Sequence, residues 1–140
     1  MSAIEETLVL VKPDGVQRNL TGEVLARIER KGYSIVDLRM VQAKRDQLAA
    51  HYAEHEGKPF FESLIEFMSS GPIVAVRVAG TRCIEGFRSL AGATEPTTAA
   101  PGTIRGDFGR AWEDGMVRNI VHGSDSPESA QRELAIWFAD

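Results

Sequence analysis

The sequence has few of the residues that would place it in several protein classes. Cys83 is its only cysteine among 140 residues, so no disulfide can form within the chain and no cysteine-rich zinc site is possible. No apolar run approaches the roughly 20 residues that cross a bilayer. The first six residues lack the basic and apolar stretches of a signal peptide. We therefore expect a cytoplasmic protein without a membrane anchor.

The chain also has fewer basic than acidic residues. The chain has 16 lysines and arginines against 20 acidic residues, for a net charge of −4. Because nucleic-acid binding depends largely on basic side chains that neutralise phosphates, this balance argues against a general nucleic-acid binder. Any phosphate ligand must be bound by locally placed cations. The sequence also lacks a glycine-rich phosphate-binding loop of the Walker or dinucleotide type.

The composition is otherwise that of a soluble globular protein, and the length fits one domain over residues 1–140. Local patterns predict strands at residues 7–11, 33–41, 72–79 and 119–122, and helices at 21–31, 45–55, 59–68, 81–90 and from 126 onward. Residues 91–118 show no sustained period and are predicted to form a long loop, which in a compact domain is usually functional or disordered. The order indicates two split β-α-β units, hence a four-stranded antiparallel sheet with helices on one face.

His122 is the residue best suited to covalent chemistry. It lies at the end of the last predicted strand beside a glycine and small polar residues, which leave its ring approachable. An unprotonated imidazole can attack phosphorus and form a reactive phosphoramidate. Such a reaction needs cations around the transferring oxygens, and Lys12, Arg88 and Arg105 are the candidates. The alternatives are a histidine that caps a turn and cations that are ordinary surface charges.

Glu133 lies in the helix after His122 and could accept a hydrogen bond from the second ring nitrogen, or it could face solvent. His51 and His55 have the i, i+4 spacing of a metal-binding pair, but the sequence offers no third ligand and favours a polar helix face. A Ser-His-Asp triad of Ser124, His122 and Asp125 is rejected, because that geometry draws on distant segments.

Five segments in the same order carry a family resemblance: TLVLVKPDGVQRNLTGEVLARIERKG, HYAEHEGKPFF, SGPIVAVRV, ATEPTTAAPGTIRGDF and NIVHGSDSPESAQRE. Together they resemble the nucleoside diphosphate kinases over nearly the whole chain, and the last resembles their active-site signature. The resemblance implies a ferredoxin-like α/β sandwich. It also implies a ping-pong reaction, in which a nucleoside triphosphate, mainly ATP, phosphorylates His122 and a nucleoside diphosphate then collects the phosphate.

The resemblance assigns roles around the phosphates and the nucleophile. Lys12 would contact the transferring phosphate and the ribose. Tyr52 would place its hydroxyl near His122. Phosphate oxygens would be held by Arg88, Thr94 and Arg105, and the catalytic histidine would be supported by Ser124 and Glu133.

Other matching positions would hold the nucleoside. Asn119 would bind the sugar hydroxyl, Phe60 would stack on the base, and Leu64 would flank it. From the residues alone, a core or interface role for Phe60 is the more common one. Because every base offers a π-face, stacking predicts broad specificity for the base. The resemblance implies ribo- and deoxyribonucleoside di- and triphosphates as partners. Mg²⁺ is expected to be held mainly by the nucleotide phosphates and water, so no protein metal ligand follows.

The relatives assemble as homo-oligomers, and the segment APGTIRGD resembles a loop that meets at a threefold axis, so a hexamer is favoured over a tetramer. One departure stands out. The segment GDFGRAWEDGMVR, residues 106–118, is longer than the family pattern by about four residues and could alter nucleotide affinity or a subunit contact. Competing hypotheses are a regulatory subunit that has lost catalysis and a nucleic-acid-binding module, which the intact site residues and the acidic balance disfavour.

Overall fold

The computed structural model describes residues 4–139 and contains a four-stranded sheet in the order β2-β3-β1-β4, with every neighbouring pair antiparallel. The strands are β1 (Ile4–Val11), β2 (Ser34–Val41), β3 (Ile73–Thr81) and β4 (Val121–Gly123). The helices are α1 (Pro13–Gln17), α2 (Thr21–Lys31), α3 (Arg45–His51), α4 (Phe61–Met68), α5 (Cys83–Ala91), α6 (Ile104–Phe108) and α7 (Pro127–Trp137). Short 3-10 turns cover Ala53–His55 and Pro96–Thr98. This topology confirms the predicted ferredoxin-like fold.

Helices cover both faces of the sheet, so the prediction of helices on one face was wrong. Leu8 and Leu10 of β1 pack into a core with α3, α4 and α7, whereas Val9 and Val11 pack into a second core with α2 and α5. Successive side chains of a strand point to opposite faces, so a strand buried on both sides must be apolar at every position. That explains the continuous apolar run at the end of β1.

Local signals fix several helix ends. Gly32 ends α2 in the left-handed conformation, at φ 103°, which glycine adopts without the penalty of a Cβ. The Ser126 side chain accepts a hydrogen bond from the Ser129 N–H at the start of α7, and Pro127 occupies the first turn. Both ends were predicted correctly. None of the helices within residues 4–139 is long and apolar enough to span a membrane.

The predicted loop of residues 91–118 contains a 3-10 turn and α6. The Thr103 side chain caps α6 by accepting a hydrogen bond from the Gly106 N–H, and this places Arg105 on a short helix. The last strand also begins later than predicted, because Asn119 and Ile120 form a tight turn before Val121.

Candidate active site

His122 lies in the middle of β4, opposite Leu10 of β1, and its ring is half-buried in the wall of a cavity of about 310 Å³. Its Nε2 is 2.8 Å from Oε1 of Glu133. The Ser124 hydroxyl donates to the same oxygen at 2.7 Å and accepts from the Leu8 N–H. Because a carboxylate only accepts, Nε2 carries the ring proton and Nδ1 keeps its lone pair.

Glu133 is almost fully buried, at 5% exposure. Burial opposes its ionisation, but hydrogen bonds from His122 and Ser124 outweigh that cost and hold the pKa of the Glu133 carboxyl below its usual value. A charged acceptor therefore stands behind the ring. It can stabilise positive charge that develops on the imidazole when Nδ1 acts as a nucleophile.

A strained turn precedes the strand of His122. Ile120 is fully buried at φ 74°, and the Val121 N–H donates to the Asn119 carbonyl at 2.7 Å. This geometry matches the rare γ-turn, which is costly for a β-branched residue. The Ile120 N–H donates to Oδ2 of Asp14, and its carbonyl accepts from the Lys12 N–H.

The corner after β1 packs closely on this turn. A Cβ at Gly15 would lie 3.0 Å from the Ile120 side chain and 2.8 Å from that of Val11, so only glycine fits there. The corner and the turn together bring Asn119 and Lys12 into contact: the Lys12 ammonium donates to the Asn119 side-chain oxygen at 2.8 Å. Two residues that are 107 positions apart in the chain thus share one wall of the cavity.

Three cations line the same cavity: Lys12, Arg88 and Arg105. Burial, together with the nearby Arg105 charge, lowers the pKa of Lys12 to about 8, although Asp14 opposes the shift. Burial and the neighbouring Arg88 lower the pKa of Arg105 to about 10. The lowered pKa values mean that the charged forms of these side chains are disfavoured. An anion bound between them would stabilise the charged forms.

Arg105 is fixed by backbone carbonyls. Its guanidinium donates to the carbonyls of Gly92 (2.9 Å), Asn119 (3.1 Å) and Val121 (2.7 Å). Thr94 also lines the cavity, and its carbonyl accepts from the Asn119 side-chain amide at 3.1 Å. Hydrogen bonds thus join predicted site residues from separate segments of the sequence into one network.

The predicted base-binding residues lie outside the wall of this cavity. Phe60 is 49% exposed and touches the ring of His55, which does line the cavity. Leu64 packs against the core formed with α3 and α4. Tyr52 lines the cavity between the rings of His51 and His55, and burial, with the Glu133 charge, raises the pKa of its phenol.

The sequence interpretation of His51 as part of a polar helix face was wrong. His51 is 3% exposed, and its ring meets the ring of His122 edge-on with 4.6 Å between centroids. A ring nitrogen of His51 lies within 4.8 Å of a ring nitrogen of His122 and a carboxylate oxygen of Glu133, and His55 does not belong to this group. The signal available in the sequence was the spacing of three from Leu48, which is also buried.

The longer segment, residues 106–118, makes contacts within itself and with Arg18 and Arg27 near the start of the chain. Arg110 lies over the Trp112 ring at 3.9 Å, and Arg118 pairs with Asp114 at 2.6 Å. Met116 is 39% exposed. Neither Arg110 nor Arg118 is among the residues that line the cavity around His122.

The chain is similar to proteins of known function over nearly its whole length. A family model described as nucleoside diphosphate kinase matches residues 5–140. A nucleoside diphosphate kinase of Mycobacterium avium (strain 104) is 60% identical over 97% of this chain and 98% of its own length. One of Thermobifida fusca (strain YX) is 57% identical over 98% of both chains.

Solved structures with the same fold include two with bound nucleotides. The nucleoside diphosphate kinase of Halobacterium salinarum in complex with CDP has a TM-score of 0.91 and 43% identity, covering 99% of this chain and 90% of that one. A transition-state mimic of the Borrelia burgdorferi enzyme with vanadate and ADP has a TM-score of 0.90 and 39% identity, covering 98% and 88%.

Proposed function

The chain belongs to the nucleoside diphosphate kinase family, and we propose that His122 carries its reaction, the transfer of the γ-phosphate of a nucleoside triphosphate, mainly ATP, to a nucleoside diphosphate. The observation that carries this assignment is the Glu133 carboxylate, 2.8 Å from Nε2, which leaves Nδ1 as the free nitrogen. We also propose that residues 1–140 form one catalytic domain.

The reaction has two halves. The Nδ1 lone pair attacks the γ-phosphorus, the bond to the β–γ bridging oxygen breaks, and the nucleoside diphosphate leaves with that electron pair. The Nε2 proton stays on the ring, where Glu133 balances the new positive charge. A terminal oxygen of the acceptor diphosphate then attacks the same phosphorus, and the electron pair of the P–N bond returns to Nδ1.

The surrounding residues position the nucleotide. Phosphate oxygens would be held by Lys12, Arg88, Thr94 and Arg105. Asn119, already hydrogen-bonded to Lys12, would bind the sugar hydroxyl, and Tyr52 would place its phenol beside the phosphoryl group. Exposed Phe60 would stack on the base and Leu64 would flank it, which suits ribo- and deoxyribonucleotides of any base.

Mg²⁺ fits this arrangement as a partner of the nucleotide. The cations beside His122 suit phosphate oxygens and would repel a bare metal ion, so the ion would be held by the phosphates and water. When bound, it would neutralise phosphate charge. The chain would then supply the nucleophile and the cations that orient the phosphates.

Phosphorylation of the protein by γ-labelled ATP and Mg²⁺ tests this function. We expect label that is stable in alkali, lost in acid, mapped to His122 by mass spectrometry, and discharged onto added GDP. A parallel sample with EDTA should take up little label. Acid-stable label on Ser124 would contradict the assignment, and a folded protein that binds ATP but takes no label would be a regulatory nucleotide-binding subunit.

We also propose that the chain forms a homo-oligomer in the cytoplasm, with a hexamer favoured over a tetramer. β2 ends the sheet, and Val36, Leu38 and Met40 on it are 53%, 48% and 64% exposed. An open, apolar edge strand is a template for pairing with a second copy. The turn before α6 is braced by Asp107, which accepts from the Gly102 N–H and pairs with Arg27, and could support a second contact.

Light scattering after size exclusion tests the assembly. We expect a mass six times the 15.3 kDa of one chain. Leu38→Asp and Met40→Asp should each give a smaller species, because a charge on the β2 face opposes apolar pairing. A wild-type mass of four chains would replace the hexamer by a tetramer, and variants of unchanged mass would show that β2 is not an interface.

A further inference from the structure

Ring contacts lead from His122 to His51 and on to Trp137, two buried residues to which the transfer reaction described above assigns no role. The Trp137 indole N–H donates to Nδ1 of His51 at 3.0 Å. Trp137 and His51 are 2% and 3% exposed. Because an indole only donates, Nδ1 of His51 must be an acceptor, and the proton of the neutral ring must lie on Nε2. Trp137 thus fixes one tautomer of His51.

The surroundings of His51 keep its ring neutral. It faces His122 on β4, Arg132 and Glu133 on α7, and Lys12 at the end of β1. Burial, followed by the effect of His122, lowers the pKa of His51 to about 3, although Glu133 opposes the shift. A second positive charge is thereby kept away from the ring of His122.

The ring of His51 also limits the orientations of His122. The two rings meet edge to face, with an interplanar angle of 73° and 4.6 Å between centroids. Glu133 holds Nε2 of His122, so the nucleophile is fixed by a hydrogen bond and by a packed neighbour. A metal ion shared by His51, His122 and Glu133 is the competing interpretation. The occupied Nδ1 and the proton on Nε2 leave His51 no lone pair for it.

We propose that His51 is a positioning residue for phosphoryl transfer: held by Trp137, its neutral ring fixes the plane of His122 so that Nδ1 faces the γ-phosphorus. The inference rests on the proposed role of His122. Trp137 lies on the far side of His51 from His122. In this proposal it helps to keep His51 neutral, because the ring of His122 itself becomes positive during the attack. The hydrogen bond from Trp137 thus fixes the orientation of His51 and, together with burial, opposes protonation of its ring.

Trp137→Phe tests the proposal, because it removes the N–H and keeps an aromatic ring. We expect the rate of His122 phosphorylation to fall about tenfold, with KM for ATP within about twofold of wild type. Loss of the donor frees Nδ1 of His51 to take a proton and should raise its pKa from about 3, so on acidification the rate should begin to fall at a higher pH than in wild type. Trp112→Phe, in the segment after α6, is the matched control and should leave rate and pH profile unchanged.

A second variant separates orientation from charge. His51→Asn can still accept from Trp137 but has no ring and cannot be protonated. It should lower the rate and keep the wild-type pH profile. A merely structural role would scale activity with the folded fraction in both variants and leave their pH profiles alike. A Trp137→Phe profile identical to wild type would overturn the proposal.

Nitrogen-15 NMR of the nucleotide-free wild-type protein tests the tautomer directly and needs no variant to fold. We expect a protonated Nε2 and an unprotonated Nδ1 on His51 throughout about pH 5 to 8. Titration of His51 in that range, or a proton on Nδ1, would overturn the proposal. A wild-type protein that takes no label would instead count against the assigned role of His122, and the NMR result would still stand by itself.

Discussion

His122→Ala is expected to slow γ-phosphate transfer by at least about 10⁴-fold, because His122 supplies the attacking nitrogen and the unprotonated Nδ1 of neighbouring His51 is occupied by the Trp137 N–H. Transfer should be measured from ATP to GDP by stopped-time assays, and covalent label by alkaline trapping. The variant should retain binding of ADP by calorimetry within about threefold, since the phosphate-binding cations remain in place.

Binding of ADP by His122→Ala is the control for the loss of transfer, because it shows that the variant has kept its fold and its site. A variant that neither binds nor transfers has lost its fold or its site, which thermal unfolding would reveal. Label or turnover within about tenfold of wild type would contradict the role of His122 and direct attention to another nucleophile.

Arg105→Lys should have the second largest effect. The guanidinium makes three hydrogen bonds to carbonyls of separate segments, and the ammonium of lysine cannot reproduce that planar fork. We expect kcat/KM to fall about 100-fold and Tm to fall by roughly 5 °C. Loss of activity follows from the displaced phosphate-binding charge, and loss of stability follows from the three carbonyls that each lose a hydrogen bond.

Arg110→Lys is the matched control, because Arg110 is exposed and lies over Trp112 outside the cavity wall. It should leave kcat/KM within about twofold and Tm within about 1 °C of wild type. If Arg105→Lys behaved in the same way, the three carbonyl contacts would carry little energy and Arg105 would have to be removed from the proposed phosphate site.

Sequence patterns predicted the parts of the fold that depend on neighbours in the chain. The apolar run of β1, the glycine that ends α2 and the cap that begins α7 are all local signals. The second covered face of the sheet was missed. The sequence signal for the second covered face was the lack of polar residues alternating with apolar ones in β1. That strand is short enough for its pattern to fit a sheet covered on one face or on both.

The parts that escaped prediction depend on contacts between distant residues. His51 is polar by type and buried only because α7 brings Trp137 over it. Ile120 adopts φ 74° only because Asp14 and Lys12 hold its backbone groups. Residue preferences alone argue against a buried histidine and against an isoleucine with positive φ. Tertiary contacts override these preferences.

The γ-turn at Ile120 also bears on the order in which the chain can fold. Its strain is offset by Asp14, which is 106 residues away, so the turn has no support until the corner after β1 has met the end of the chain. Local helices can form earlier, since they close shorter loops. We therefore expect the nucleophile to be set in place among the last events of folding, so that an incompletely folded chain takes up no phosphate.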